Sequence, residues 1–108
     1  MGADTPLGVF EEHVMLAVLR CRDEAYGMNV RRAIERLTDR SVAIGAVYST
    51  LDRLEAKGFI ASRRAVDAGL SRRNFTVTRP GARALAATRA MREKLWRGIQ
   101  LDALLPGN

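Results

Sequence analysis

The sequence predicts a mainly α fold with one small β-hairpin, an α+β chain in the order helix, helix, helix, hairpin, helix. Two observations predict it. Apolar residues recur at helical spacing in three stretches before Gly58 and again after Thr78, while the stretch between alternates from residue to residue. Turn-forming residues stand where the pattern changes, at Asp23-Glu24, Thr38 to Arg40, Lys57-Gly58, Ala68-Gly69 and Pro80-Gly81. At 108 residues, with nearly half of them apolar and only three prolines, the chain suits a single domain with a modest core.

The first helix is placed from Leu7 to Cys21, where Phe10, Val14, Ala17, Val18 and Cys21 share a face. The second runs from Tyr26 to Thr38, with Val30, Ile34 and Leu37 inward and Arg31, Arg32, Glu35 and Arg36 outward. A third spans about Gly45 to Lys57, its inner face marked by Ile44, Val47, Leu51 and Leu54 and its end by Gly58. After Gly58, Ile60, Ser62, Arg64 and Val66 take one side of a strand and Ala61, Arg63 and Ala65 the other. A second strand carries Phe75 and Val77, and Asp67 to Ser71 form the turn between them. The last helix has Thr78 as N-cap and Pro80 in its first turn, and continues through Leu85, Met91, Leu95, Trp96 and Ile99. Three helices followed by a hairpin describe a winged helix-turn-helix, a fold that binds either DNA or protein.

The charge is unevenly spread. Residues 1–25 carry −3, residues 26–79 carry +6 and residues 80–108 carry +3, and every base except Lys57 and Lys94 is arginine. The planar guanidinium fork matches phosphates and base edges, so nucleic acid is the leading partner. The longest apolar run, Val14 to Leu19, falls far short of the roughly 20 residues a membrane helix needs. The start of the chain has no basic and apolar leader pattern, and Pro6 stands where a myristoylation motif has Ser or Thr, so a cytoplasmic protein with no membrane partner is expected. Cys21 and His13, each the sole residue of its type, make neither a disulfide nor a four-ligand zinc site, and Cys21 is expected to pack in the core. His13 lies beside Glu11 and Glu12 with no nucleophile motif, and no phosphate loop appears, so neither an enzyme nor a cofactor is expected.

On the third helix, the face away from its apolar stripe carries Ala46, Ser49, Thr50 and Arg53. Small and hydroxyl side chains allow close approach to a major groove, and Arg53 can fork onto guanine. Tyr48 lies beside this face, either reaching a phosphate with its hydroxyl or simply packed. The hairpin adds Arg63, Arg64, Arg72 and Arg73; the last two are favoured because they follow the turn, which relaxes strand alternation. Tyr26, Gly27 and Asn29 stand at the amino end of the second helix, where free N–H groups suit a phosphate, with Arg31 and Arg32 nearby.

Gly45-Ala46-Val47-Tyr48-Ser49-Thr50-Leu51-Asp52-Arg53-Leu54-Glu55-Ala56-Lys57-Gly58, together with Tyr26-Gly27-Met28 and Arg72 to Thr78 followed by Gly81 and Leu85, resembles the PadR family of bacterial transcriptional regulators. The resemblance runs from about Val14 to Leu85 and departs from the usual pattern at Ala46, Ser49, Asn74 and the wing start Gly69-Leu70-Ser71. It implies a homodimer that binds operator DNA, usually as a repressor, and releases it in response to a signal. By position it implies that Tyr48 faces the DNA backbone and that Arg53 lies on or beside the recognition surface.

Accordingly, residues 1–79 are taken as the DNA-binding winged-helix region and residues 80–108 as a dimerisation helix and tail, within one domain overall. One recognition helix covers only a few base pairs, so two copies about one DNA turn apart are needed for specificity. Leu85, Met91, Leu95, Trp96 and Ile99, assisted by Leu7 and Phe10, are the candidate dimer surface, since so small a globule leaves little core for them all. Folding back of that helix on its own domain is the alternative. Trp96 is also a candidate contact for a small planar effector. The competing function is a winged helix that binds an acidic protein through its basic wing.

Overall fold

The computed structural model describes residues 6–105 and 107. Residues 1–5, on which most of the leader and myristoylation reading rests, lie outside the described residues. The elements follow the expected order: α1 (Val9–Cys21), α2 (Gly27–Thr38), α3 (Ile44–Ala56), β1 (Ile60–Asp67), β2 (Leu70–Val77) and α4 (Arg79–Trp96). A short 3₁₀ turn, Arg22–Glu24, joins α1 to α2.

α1 begins two residues later than its periodicity suggests. Gly8 takes the N-cap place, and its N–H donates to Glu11 Oε1 at 2.9 Å, half of a capping box. Leu7, ahead of the cap, is buried, and its N–H donates to Thr88 Oγ1 of α4 at 3.1 Å. That corrects its assignment to the dimer surface: Leu7 already closes the monomer's own core. α2 ends where Asp39 adopts φ 56, and the linker that follows is held by two α2 side chains. Arg31 Nε donates to Val42 O and Val42 N–H donates to Glu35 Oε2, each at 2.8 Å.

The core gathers Val14, Met15 and Val18 of α1, Val30 and Ile34 of α2, Val47, Leu51 and Leu54 of α3, and Ile60 and Phe75 of the hairpin. Cys21 packs at its edge, half-buried. Leu37, expected inward, is exposed: the buried side of α2 is Val30, Ala33 and Ile34, and Leu37 lies at the rim of a shallow hollow beside Leu16 and Arg20 of α1.

β1 and β2 pair antiparallel from Ile60↔Val77 to Asp67↔Leu70. The turn is therefore only Ala68-Gly69, both left-handed at φ 51 and 79, the two-residue geometry that matches strand twist. The base of the hairpin is anchored: Phe75 is fully buried, its N–H donates to Ala25 O at 3.0 Å, and Asn74 Nδ2 donates to Asp23 O at 2.6 Å. The distal part, including Val66 and Leu70, is exposed and projects as a wing.

α4 is docked at its amino end and free at the other. Thr78 Oγ1 accepts from Gly81 N–H at 3.1 Å and donates to Gly58 O at 2.6 Å. Gly81 is required there, since a Cβ would sit 3.0 Å from the Phe59 carbonyl carbon and closer still to its oxygen. Gly81, Ala84 and Thr88 are buried, Leu85 packs half-buried on the core, and Arg92 Nη2 pairs with Glu12 Oε1 of α1 at 2.7 Å. Beyond that strap Leu95 and Trp96 are exposed. The helix stops at Trp96, so Ile99 lies past it; Gly98, at φ 79, turns the chain. The radius of gyration of 16.2 Å exceeds the roughly 13 Å of a compact chain of this length, as a projecting helix requires.

Candidate nucleic-acid interface

α3 turns Val47, Thr50, Leu51 and Leu54 inward. At 3.6 residues per turn, the opposite face is centred on Gly45, Ser49, Asp52 and Ala56, all exposed, with Tyr48 and Glu55 on one flank and Ala46 and Arg53 on the other. Thr50 is thus corrected: it is 3% exposed, one of the inner positions, and its Oγ1 accepts from Arg53 Nη2 at 3.3 Å. Arg53 leans towards α1, where its Nε lies 3.5 Å from Glu11 Oε2.

Glu11 also accepts from Lys57 Nζ at 2.8 Å, so one carboxylate of α1 holds Arg53 of α3 and Lys57 at the C-cap of that helix. Burial pushes the Glu11 carboxyl upward, but the hydrogen bonds from Lys57 and the Gly8 N–H, with the charges of Lys57 and Arg53, outweigh it and bring the group below its ordinary range. Burial pushes the Cys21 thiol up.

Tyr26, Met28, Asn29 and Arg32 at the start of α2, Tyr48 of α3, and Arg64, Ser71, Arg72 and Arg73 of the wing line a groove of about 430 Å³. The Tyr48 ring fills the space beside Gly27. Asn29 Nδ2 donates to Glu24 O at 2.9 Å, and its Oδ1 accepts from Arg32 Nη1 at 3.4 Å. Arg72 places its guanidinium 5.0 Å from the Tyr26 ring centre.

Arg73 is different in kind. Its Nη1 donates to Asp52 Oδ1 at 3.1 Å and its Nη2 to Glu55 Oε1 at 2.8 Å, while the guanidinium lies 4.8 Å from the Phe75 ring centre. The relaxation of alternation expected after a longer turn does not occur, because β2 is regular from Leu70 onward. Arg72 and Arg73 therefore face opposite sides, one exposed and one half-buried against α3. Arg63 pairs with Asn74 in the register, on the face away from Arg64, and stands outside the groove. Arg31, expected outward, is half-buried and committed to the α2–α3 linker.

The sequence reading missed Asp52, Glu55 and Met28. Asp52 was legible, since it follows Ser49 by three and Gly45 by seven on one helical face. A larger hollow of about 710 Å³ lies between the start of α1, the end of α2 and the linker, lined by Val9, Phe10, His13, Ile34 and Val42 among others. Among the described residues, no cluster of three His, Cys, Asp or Glu side chains could hold a metal ion, and no helix is long and apolar enough to cross a membrane.

Two short helices joined by a braced linker, the second presenting small and polar residues outward beside a basic hairpin, make this a winged helix-turn-helix of the DNA-binding class. The chain belongs to the Transcriptional regulator PadR-like family, whose model matches residues 15–87. A PadR-like transcriptional regulator from Bacillus cereus shares the fold at a TM-score of 0.72 and 20% identity, covering 94% of this chain and 95% of that one. A PadR family transcriptional regulator from Eggerthella lenta is 26% identical at a TM-score of 0.66, covering 88% and 82%. MarR from E. coli, 16% identical, superposes at 0.62 over 91% of this chain and 70% of that one. No curated protein matches the chain in sequence.

Proposed function

We propose that the protein binds operator DNA as a homodimer and represses transcription, with α3 in the major groove and the wing along the adjacent backbone. The observation that carries this reading is the pairing of a small outward face on α3 with the basic groove beside it. The amino ends of α2 and α3 support it further: neither has a side-chain cap or an acid in its first turn, whereas α1 and α4 have one or the other. Uncapped N–H groups suit phosphates. Tyr26, Asn29, Arg32, Tyr48, Arg64 and Arg72 form the backbone-contacting set, and Ser49 and Ala46 the close-approach surface; Gly27, buried under the Tyr48 ring, seats that ring and is not itself a phosphate contact. Arg53 reaches DNA from the α1 flank, its side chain still 54% exposed. Arg73 and Arg31 support from behind, and Arg63 lies outside the groove.

Dimerisation falls to the free end of α4. Leu95, Trp96 and Ile99 are all more than half exposed, Met91 lies at the edge of the docked part, and Phe10 lines the apolar hollow on α1. A stripe of this kind is covered by a second copy. The Trp96 indole at that seam is the place where a planar effector would touch the dimer.

Binding of the purified chain to the promoter DNA of its own neighbouring genes, with excess random duplex and a salt series, tests the proposal. Competitor-resistant binding by one dimer per site, falling steeply with salt, is the expected result. Complete loss to competitor would overturn operator binding and favour an acidic protein partner for the wing.

A further inference from the structure

Asp52 is the one acid at the centre of the outward α3 face, with Gly45, Ser49 and Ala56 around it, none of which carries a charge. Its side chain is 61% exposed, so the carboxylate is presented to whatever meets α3. It is also held. Arg73 bonds Oδ1 at 3.1 Å, and that guanidinium is itself fixed by Glu55 Oε1 at 2.8 Å, Ser62 Oγ at 3.4 Å and the Phe75 ring. The Arg73 bond offsets this charge only in part, since it engages one carboxylate oxygen, Oδ1, of a side chain that stays exposed, and a surface that approaches phosphates favours a further donor for the rest of the group. In the major groove, the donors on base edges are the amino groups of cytosine and adenine, and an acidic side chain suits cytosine N4; guanine O6 and N7 and thymine O4 are acceptors that repel it.

We infer that Asp52 is a specificity-determining residue, selecting cytosine at one position of each half-site, and that Arg73 is the positioning residue that aims it. The inference rests on the proposed operator binding. Arg73, which sequence alone assigns to the phosphates, instead turns a wing contact into a support for base selection. Ser49 and Gly45 leave the helix narrow enough for the carboxylate to reach the groove floor.

The test is selection of duplexes from a randomised pool by the full-length wild-type protein, Asp52→Ala and Asp52→Asn, with an Arg73→Lys variant alongside. The wild type is expected to enrich a two-fold symmetric motif with one strongly selected cytosine per half-site. Asp52→Ala should lose discrimination at that position by on the order of tenfold, leaving the others unchanged. Asp52→Asn should shift it towards adenine, whose N6 and N7 an amide matches. Arg73→Lys should blur the same position without moving the rest of the motif. If both Asp52 variants enrich the wild-type motif unchanged, the role of Asp52 is refuted while operator binding stands. If the wild type enriches no motif at all, operator binding itself fails and the inference falls with it.

Discussion

The ring of Tyr48 on α3 occupies the space that a side chain at position 27 on α2 would need: a Cβ there would come within 2.6 Å of Cε1, and nearer still to Cζ and Oη. Two helices of the DNA-binding unit are thereby set against each other with a phenol at the seam. Gly27→Ala should drive the partly exposed Tyr48 ring outward at a cost of up to about 1 kcal/mol and weaken duplex binding. A cycle with Tyr48→Ala, measured by thermal unfolding, should show that the alanine at 27 costs much less once the ring is gone. Equal cost in both backgrounds would mean that the ring does not set the helix contact.

Removing Arg72 should weaken binding to all duplexes about equally and lower the slope of log K against log salt by about one. Arg53→Ala should instead reduce operator preference over random DNA by more than Arg72→Ala does. Fluorescence anisotropy at several salt concentrations, on operator and random duplex, separates the two. An identical loss of preference from both would refute this division.

Glu11 ties the amino end of α1 to Arg53 of α3 and to Lys57 at the C-cap of that helix. Its carboxyl is held below its ordinary value in the folded chain, so its contribution to stability is complete above the ordinary glutamate range and is lost as pH falls through the lower folded value. Glu11→Gln should cost roughly 1 kcal/mol at neutral pH, and the gap between the two proteins should close in acid. Denaturant melts at neutral pH and at pH near 3 check it; a gap that widens in acid would reverse the sign.

The free end of α4 predicts a clean separation of folding from assembly. Leu95 and Trp96 are 70% and 58% exposed, so Leu95→Glu with Trp96→Glu should leave the circular dichroism spectrum unchanged and remove only the part of the melting temperature that rises with protein concentration. Sedimentation should show a dimer for the wild type and a monomer for the variant, and operator affinity should drop with the loss of the second half-site. A variant that remains dimeric would place the seam elsewhere.

Thr78 closes α4 at its start and reaches back to Gly58. Thr78→Ala should cost about 1–2 kcal/mol, the upper part of the range for a helix cap, because it also strips a bond from the α3–β1 corner. Chemical denaturation measures this directly; a loss below a few tenths would show that the corner holds without it.

The element order, the inner faces of α1 and α3, the Thr78 cap and the family were all legible in the sequence, because each is a local pattern of spacing. Val47, Leu51 and Leu54 declare a buried helical face whatever surrounds them. The hairpin turn was less legible: Asp67, Gly69 and Ser71 spread turn-forming residues over five positions, and only strand pairing shows that Ala68-Gly69 alone makes the reversal.

Tertiary structure alone decided which arginines are committed and which are presented. Arg73 meets Asp52 from 21 positions away, and Lys57 meets Glu11 from 46 away. No periodicity announces such pairs, because an ion pair depends on where two elements come to rest against each other. The same holds for Leu7, whose apolarity marked it for burial but did not say whether its own core or a second copy would provide it. Residue type and local spacing determined the parts of this regulator; packing between distant elements determined which side chains remain for DNA.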